Sequence, residues 1–257
     1  MRALKDTWTM TKRSLRHIVR SPDTIITVVL TPIAMMLMFV YVLGGALGQQ
    51  TGSVKYIDFI TPGIIILTVI SGIAYAAFRL NKDIQKGIIN RFRTMPVAPS
   101  SILSGQAVSS TLSNLFSSLL VLAVAFAIGF RTSAGLLEWL MFAGLVILFT
   151  LATTWMAIYF GLKANSAEGA GSFSYILMLL IFISPSFVPT SSMTPLLRGF
   201  AENQPFTPII ETMRSLLTTG TVGNKGWLAL IWCLGILVVM YSLAIWQYGR
   251  KTLATNS

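Results

Sequence analysis

The sequence predicts an all-α membrane protein of six transmembrane helices, with an amino-terminal interfacial amphipathic helix and short external or re-entrant helices before the last span. Of its 257 residues 54% are hydrophobic and 11% are charged, and mean hydropathy is +0.74, so a soluble domain would have no means of covering this apolar surface. Six apolar runs have cores free of charge, and a span needs about 20 such residues to cross about 30 Å of hydrocarbon. Lys and Arg are distributed unequally between the segments that join these runs. The whole chain, 1–257, reads as one transmembrane domain.

The first twenty residues form an amphipathic pattern. At helical spacing Leu4, Trp8, Leu15, Ile18 and Val19 gather on one side, with Lys5, Lys12, Arg13, Arg16 and Arg20 beside and opposite them. Such a helix lies in the interface, where each basic residue contributes about 1 kcal/mol near anionic lipid and Trp8 suits the headgroup depth. No small-residue cleavage pattern precedes the first long apolar run, so we expect no removable signal peptide. Ser21-Pro22-Asp23 then reads as N-cap, N1 and N2 of a span from Thr24 to Leu47, kinked at Pro32.

YIDFITPGIIILTVISGIAYAAF is the second span. Thr61, Thr68, Ser71 and Tyr75 make a weak polar stripe along it, which reads either as a path lining or as hydroxyls bonded to their own helix carbonyls. From Asn81 to Gln106 the chain turns basic. Ile84, Ile88, Phe92 and Met95 fall on one face of a short helix, with Lys86, Arg91 and Arg93 on the remainder, and Pro96 and Pro99 force a corner after it. Ser100 or Ser101 is positioned to cap the next helix. The plain reading of this segment is a solvated connector that fixes orientation; the sharper one is a docking knob.

The third span, Ile102 to Gly129, carries Ser109, Ser110, Ser113, Asn114, Ser117 and Ser118 in its first half. Asn114 belongs away from lipid, where an unsatisfied amide would cost several kcal/mol. The fourth span runs from about Leu137 to Phe160 and the fifth from about Ala170 to Val188. Between Thr190 and Gly226 two short helices are expected, opened by Thr194-Pro195 and Thr207-Pro208, the second capped by Gly220 and too short to span. Glu211 and Arg214, three residues apart on it, are placed to pair. Trp227 to Gln247 is the last span.

Six spans put both termini on one side. That side carries 6 Lys and Arg before the first span, 5 from Arg79 to Arg93, 1 at Lys163 and 2 in the tail, against 5 on the other side (Lys55, Arg131, Arg198, Arg214, Lys225), so both termini and the Asn81 loop are cytoplasmic. The net charge of +11 is thereby an orientation signal, and nucleic acid is an unnecessary explanation. The single Cys233 and single His17 leave no multi-cysteine or histidine-cluster metal site, and no catalytic set is visible. No GxxxxGK[ST] loop is present to cradle ATP, and no span core holds the ionisable residue that ion-coupled carriers use.

The runs GIINRFRTMPVAPSSILSGQ, YIDFITPG and FVPTSSMTPLLRGFAENQPFTPIIETMRSLL resemble bacterial ABC type-2 exporter permeases of the daunorubicin-resistance kind. The resemblance covers nearly the whole chain. Gly87, Arg91, Phe92, Arg93 and Pro96 match residue by residue, whereas Asn90 stands where the family commonly has an acid. It implies a cytoplasmic coupling helix within 81–106 that rests on a separate ATP-binding subunit, with Asp83, Gly87, Ile88, Arg91, Phe92, Arg93 and Pro96 as its contact set. It also implies a second permease copy, membrane lipids as surroundings, and ATP and magnesium on the partner with no cofactor in this chain. The 190–226 element would stand over the permeation path. Thr68, Ser71, Ser113, Asn114 and Ser117 are candidate path residues, and Pro205, Glu211 and Arg214 candidate gate residues. The implied cargo is amphipathic, of drug, lipid or glycan type, exported across a bacterial inner membrane. A secondary transporter or facilitator working without an ATPase is the alternative.

Overall fold

The computed structural model describes residues 26–51, 54–87, 99–222 and 224–253. Regular structure among them is entirely helical: α1 (Val28–Leu47), α2 (Tyr56–Gln85), α3 (Pro99–Ala127), α4 (Leu136–Lys163), α5 (Ala167–Gly171), α6 (Phe173–Phe182), α7 (Pro195–Asn203), α8 (Phe206–Thr218) and α9 (Gly226–Leu253). The interfacial helix and the Ser21-Pro22-Asp23 cap lie outside the described residues.

Helices α1, α2, α3, α4 and α9 are long and apolar enough to cross a membrane. The predicted fifth span is built differently. Its regular helix stops at Phe182 and is followed by turns from Ile183 to Phe187. These residues nevertheless accompany α2 from end to end: Gln85 Nε2 donates to Asn165 O (3.1 Å) at one extreme and the Tyr56 hydroxyl to Phe187 O (3.2 Å) at the other. Pro185 lacks the N–H that a continuing helix needs, which accounts for the early stop. Among the described residues five helices thus have the length of a span, and α5, α6 and the turns after them form a further, shorter apolar element.

α2 is the axis of the bundle. Of its apolar window 83% is buried, against 22% for α1 and 17% for α9, which therefore stand at the periphery. In lipid no hydrophobic force draws apolar helices together, so close approach depends on small residues. Gly63 shows this: a Cβ there would lie 2.7 Å from Ser186 Cβ. Pro62 interrupts the α2 ladder and leaves the Asp58 carbonyl without its helical donor.

Three boundaries depart from the sequence expectation in ways that bear on the site. α2 continues past Phe78 to Gln85, so Asn81 and Ile84 belong to this helix and not to a loop. The cause is at Asn81, whose Nδ2 donates to Gly161 O (2.9 Å) and Ala164 O (2.7 Å), carbonyls at the C-terminal end of α4 that have no helical donors of their own. Gly87, at φ +66°, ends α2 in the left-handed region, with its N–H on Ile84 O at 3.0 Å. Ile84 packs against the cluster that holds Leu80 and Leu103, while Ile88, Phe92 and Met95, with which a shared face is expected, lie outside the described residues. α3 begins at Pro99, which is pre-set for a first helical position, and Ser100 and Ser101 fall inside its first turn. The connector expected over 81–106 thus shortens at both ends. α8 starts at Phe206, before Thr207-Pro208, because Thr207 is drawn back to donate to Ala201 O. α7 does open at Thr194-Pro195, and Gly220 (φ +67°) follows the end of α8 as expected. Pro32 sits where a π-helical turn, Ile26–Leu30, passes into α-helix.

Candidate functional site

The predicted residues fall at three levels along α2. At the Gln85 end, Asp83 is half-buried on the last turn of α2 and Gly87 closes it. Ile88, Arg91, Phe92, Arg93 and Pro96 lie outside the described residues. What the sequence reading missed here is Asn81 with Gln85: Gln85 Nε2 donates to Asn81 Oδ1 (2.9 Å), so the two side chains and α4 form one network directly before the basic segment. Their i, i+4 spacing carries this signal once α2 is extended through Gln85.

Midway, the polar residues of α2 and α3 separate into two kinds. Thr68 Oγ1 donates to Ile64 O (2.7 Å) and Ser71 Oγ to Leu67 O (3.0 Å), each spending its proton inside α2. Asn114 and Ser113 of α3 instead line a cleft of about 20 Å³ with Val28, Tyr75, Arg79 and Gln106. Asn114 Nδ2 donates to Ser110 O (3.0 Å), while its Oδ1 is buried with no hydrogen-bond partner among the described residues. The carboxamide fits because Gly72 faces it; a Cβ at Gly72 would lie 1.7 Å from Oδ1. Ser117 is buried beyond this cleft and does not line it.

At the Tyr56 end, α8 lies against α2. Its two charged residues turn apart, so the Glu211–Arg214 pair expected from their spacing does not form. Glu211 Oε2 accepts from Lys225 Nζ at 2.9 Å, both side chains partly exposed. Arg214 Nε donates to Phe59 O (3.0 Å), a second guanidinium nitrogen donates to Pro185 O, and Cζ stands 3.6 Å from the Phe59 ring centroid. The acceptor lies one residue after the carbonyl freed by Pro62, where the α2 backbone is least able to satisfy itself. Burial pushes the Arg214 pKa down to about 10 and Glu211 opposes this, so the group stays charged at neutral pH. Fixed spacing could not foresee a partner 155 residues away. Pro205 precedes the first turn of α8 as its N-cap residue.

The loop between α3 and α4 closes over the same end. Arg131 N–H donates to Asp58 Oδ1 (3.0 Å), and Thr132 Oγ1 donates to Leu217 O (2.6 Å) at the C-terminal turn of α8. α8 is therefore tied to α2, to the turn after α6 and to this loop. Among the described residues no cluster of His, Cys, Asp and Glu is placed to hold a metal ion.

The arrangement is one of a long central helix with a basic connector at one end and a short docked helix at the other. The chain is similar to a daunorubicin resistance ABC transporter permease protein of Streptomyces coeruleorubidus, 28% identical over 252 residues that cover 97% of this chain and 88% of that protein. It is also similar to a probable doxorubicin resistance ABC transporter permease protein of Mycobacterium tuberculosis, 26% identical over 229 residues, 89% of this chain and 83% of the relative. The family model described as ABC-2 type transporter matches residues 5–218, from before the first span through the end of α8. The chain belongs to the ABC-2 type transporter family.

Proposed function

We propose that the chain is the membrane-spanning permease subunit of an ATP-driven exporter that moves an amphipathic substrate, of drug, lipid or glycan type, out of the cytoplasm. The observation that carries this is the family match over residues 5–218 together with the continuity of α2 from the basic connector to the Arg214–Phe59 contact. Hydrolysis of ATP, with magnesium, belongs to a separate ATP-binding subunit docked on the connector through Asp83, Gly87, Ile88, Arg91, Phe92, Arg93 and Pro96. Two permease copies complete the path, in a bacterial inner membrane with both termini cytoplasmic, as the Lys and Arg distribution requires.

In this reading nucleotide-driven closure of the partners pushes the connector, and the push is delivered along α2 and α3. The 190–226 element, with Pro205, Glu211 and Arg214, acts as the outer gate. Thr68, Ser71, Ser113, Asn114 and Ser117 supply the sparse polar character of the path. The relatives' names, which specify daunorubicin and doxorubicin resistance, favour the drug class of cargo.

The test is purification of the tagged chain from its native host. A co-purifying subunit with a phosphate loop, whose turnover in reconstituted membranes rises with an anthracycline, is the expected result. A chain that transports without any such partner would overturn the proposal in favour of a secondary carrier.

A further inference from the structure

Between the outer third of α4, the outward side of α8 and the first turn of α9 lies a cavity of about 420 Å³. Its walls are Gly144 and Leu145 of α4, Thr212 and Leu216 of α8, and Trp227 and Leu230 of α9. The volume lies within the range of about 300–1,000 Å³ that holds small ligands. Thr212 is the one hydroxyl among these six, and it already donates to Pro208 O at 2.6 Å. An occupant is therefore asked for no hydrogen bond. Glu211 and Lys225, which adjoin the lining residues Thr212 and Gly226 in sequence, pair with each other at 2.9 Å.

The environment identifies what fills such a space. Trp227 and Leu230 at its mouth are exposed, as are Leu137, Leu140 and Ile231 on the same helices, so the cavity opens onto the hydrocarbon-facing surface of the bundle. Leu145 lies nine residues into α4, a depth of about 14 Å at 1.5 Å per residue, which is about half of a 30 Å hydrocarbon core. The cavity thus has the depth of one leaflet. A hydrocarbon chain is the available molecule of that length, and it satisfies walls that are apolar apart from the Thr212 hydroxyl and the Trp227 indole at the mouth.

We infer that this cavity is a binding site for one acyl chain of an outer-leaflet phospholipid, held between α4, α8 and α9. The site goes beyond the exporter reading and does not depend on it, since it needs only insertion of the chain in a bilayer. Its consequence concerns α8. One side of that helix is fixed to α2 through Arg214, and the lipid chain packs on the side bearing Thr212 and Leu216. Lipid occupancy and the position of α8 are then linked.

Gly144 suits the test, because it lines the cavity and a Cβ there would meet nothing within 4 Å. The full chain, with any subunit that accompanies it, is titrated in detergent with palmitoyl-oleoyl phosphatidylethanolamine and read by native mass spectrometry. Wild type and the control Gly235→Leu, on the exposed face of α9, should each show one saturable lipid adduct. Gly144→Leu and, from the opposite wall, Leu230→Trp should each weaken it at least about tenfold, while circular dichroism shows unchanged helicity. Equal adducts in all four proteins would overturn the inference. Displacement of the lipid by daunorubicin at stoichiometric ratio would overturn it too, by making the cavity a cargo site.

Discussion

The Asn114 carboxamide occupies the place that a side chain on residue 72 would need: a Cβ at Gly72 would fall 1.7 Å from Asn114 Oδ1 and 2.7 Å from its Cγ. α2 and α3 approach each other here through the absence of one side chain and the presence of another. Gly72→Ala should lower stability by about 1–3 kcal/mol, the usual cost of overpacking. Asn114→Ala in the same chain should return most of it. The check is a double-mutant cycle of unfolding midpoints in detergent; additive losses would show that the two residues do not share this space.

Arg214 and Glu211 differ in what they hold, and substitutions should separate them. Arg214→Met removes two donors from backbone carbonyls, with a cost of about 1.5–3 kcal/mol for a charged hydrogen bond, and should reduce membrane abundance. Arg214→Lys should not restore it, because a point charge cannot serve Phe59 O and Pro185 O while stacking on the ring. Glu211→Ala breaks a half-exposed pair of about 0–1 kcal/mol, and so should leave abundance unchanged. Export should nevertheless fall if Glu211 acts at the gate. Quantitative immunoblots beside anthracycline efflux report both.

Asn81 joins α2 to the last turn of α4 at the base of the basic connector. Asn81→Ala should cost about 0.6–1.7 kcal/mol, the average and the maximum for hydrogen bonds between membrane helices. Its larger effect should be on coupling. Substrate stimulation of the partner's ATP turnover should drop by more than the loss of assembled complex explains, a ratio measurable in proteoliposomes.

Orientation is accessible chemically. The native Cys233 is fully buried and should stay silent, so the wild-type chain serves as its own blank. A cysteine at Ser191, in the short turn before α7, should react with an impermeant maleimide from outside, and one at Ser100 should not. Reversed labelling would invert the topology and remove the cytoplasmic role of the connector.

Docking on the ATPase is tested by Phe92→Ala combined with Arg93→Glu. A central aromatic contributes about 2 kcal/mol or more at an interface, and the charge reversal opposes acidic groups on the partner. Insertion should be unaffected, whereas ATPase co-purification should be lost. Wild-type recovery of the ATPase would reduce the segment to a basic connector.

Apolar length and proline placement made most of the fold legible in the sequence. The α7 start at Thr194-Pro195, the end of α8 before Gly220 and the helical identity of every long run follow from local chemistry. The parts that were not legible depend on distant partners. The Gln85 spacing marks Asn81 as helical, but its burial depends on acceptors 80 or more residues away, at Gly161 and Ala164. Likewise Glu211 and Arg214 have ideal spacing for each other, yet Lys225 and the Phe59 and Pro185 carbonyls offer better geometry. The truncated α6 was hidden because hydropathy registers the apolar run and not the proline-directed turns that finish it.

The thirty residues of α2 form a strut about 45 Å long, gripped at each end by different parts of the chain. Helices resist axial compression, so a displacement imposed beside Gln85 has two outlets. It can tear the Asn81 contacts to α4, or it can arrive at Phe59 and carry Arg214 with it. Pro62 stands just inside the far grip, where a missing ladder bond makes the first two turns of α2 the easiest part of the helix to bend. Under the exporter proposal the pivot of this strut is at the end next to α8, where a thrust from the basic connector would be converted from translation into rotation.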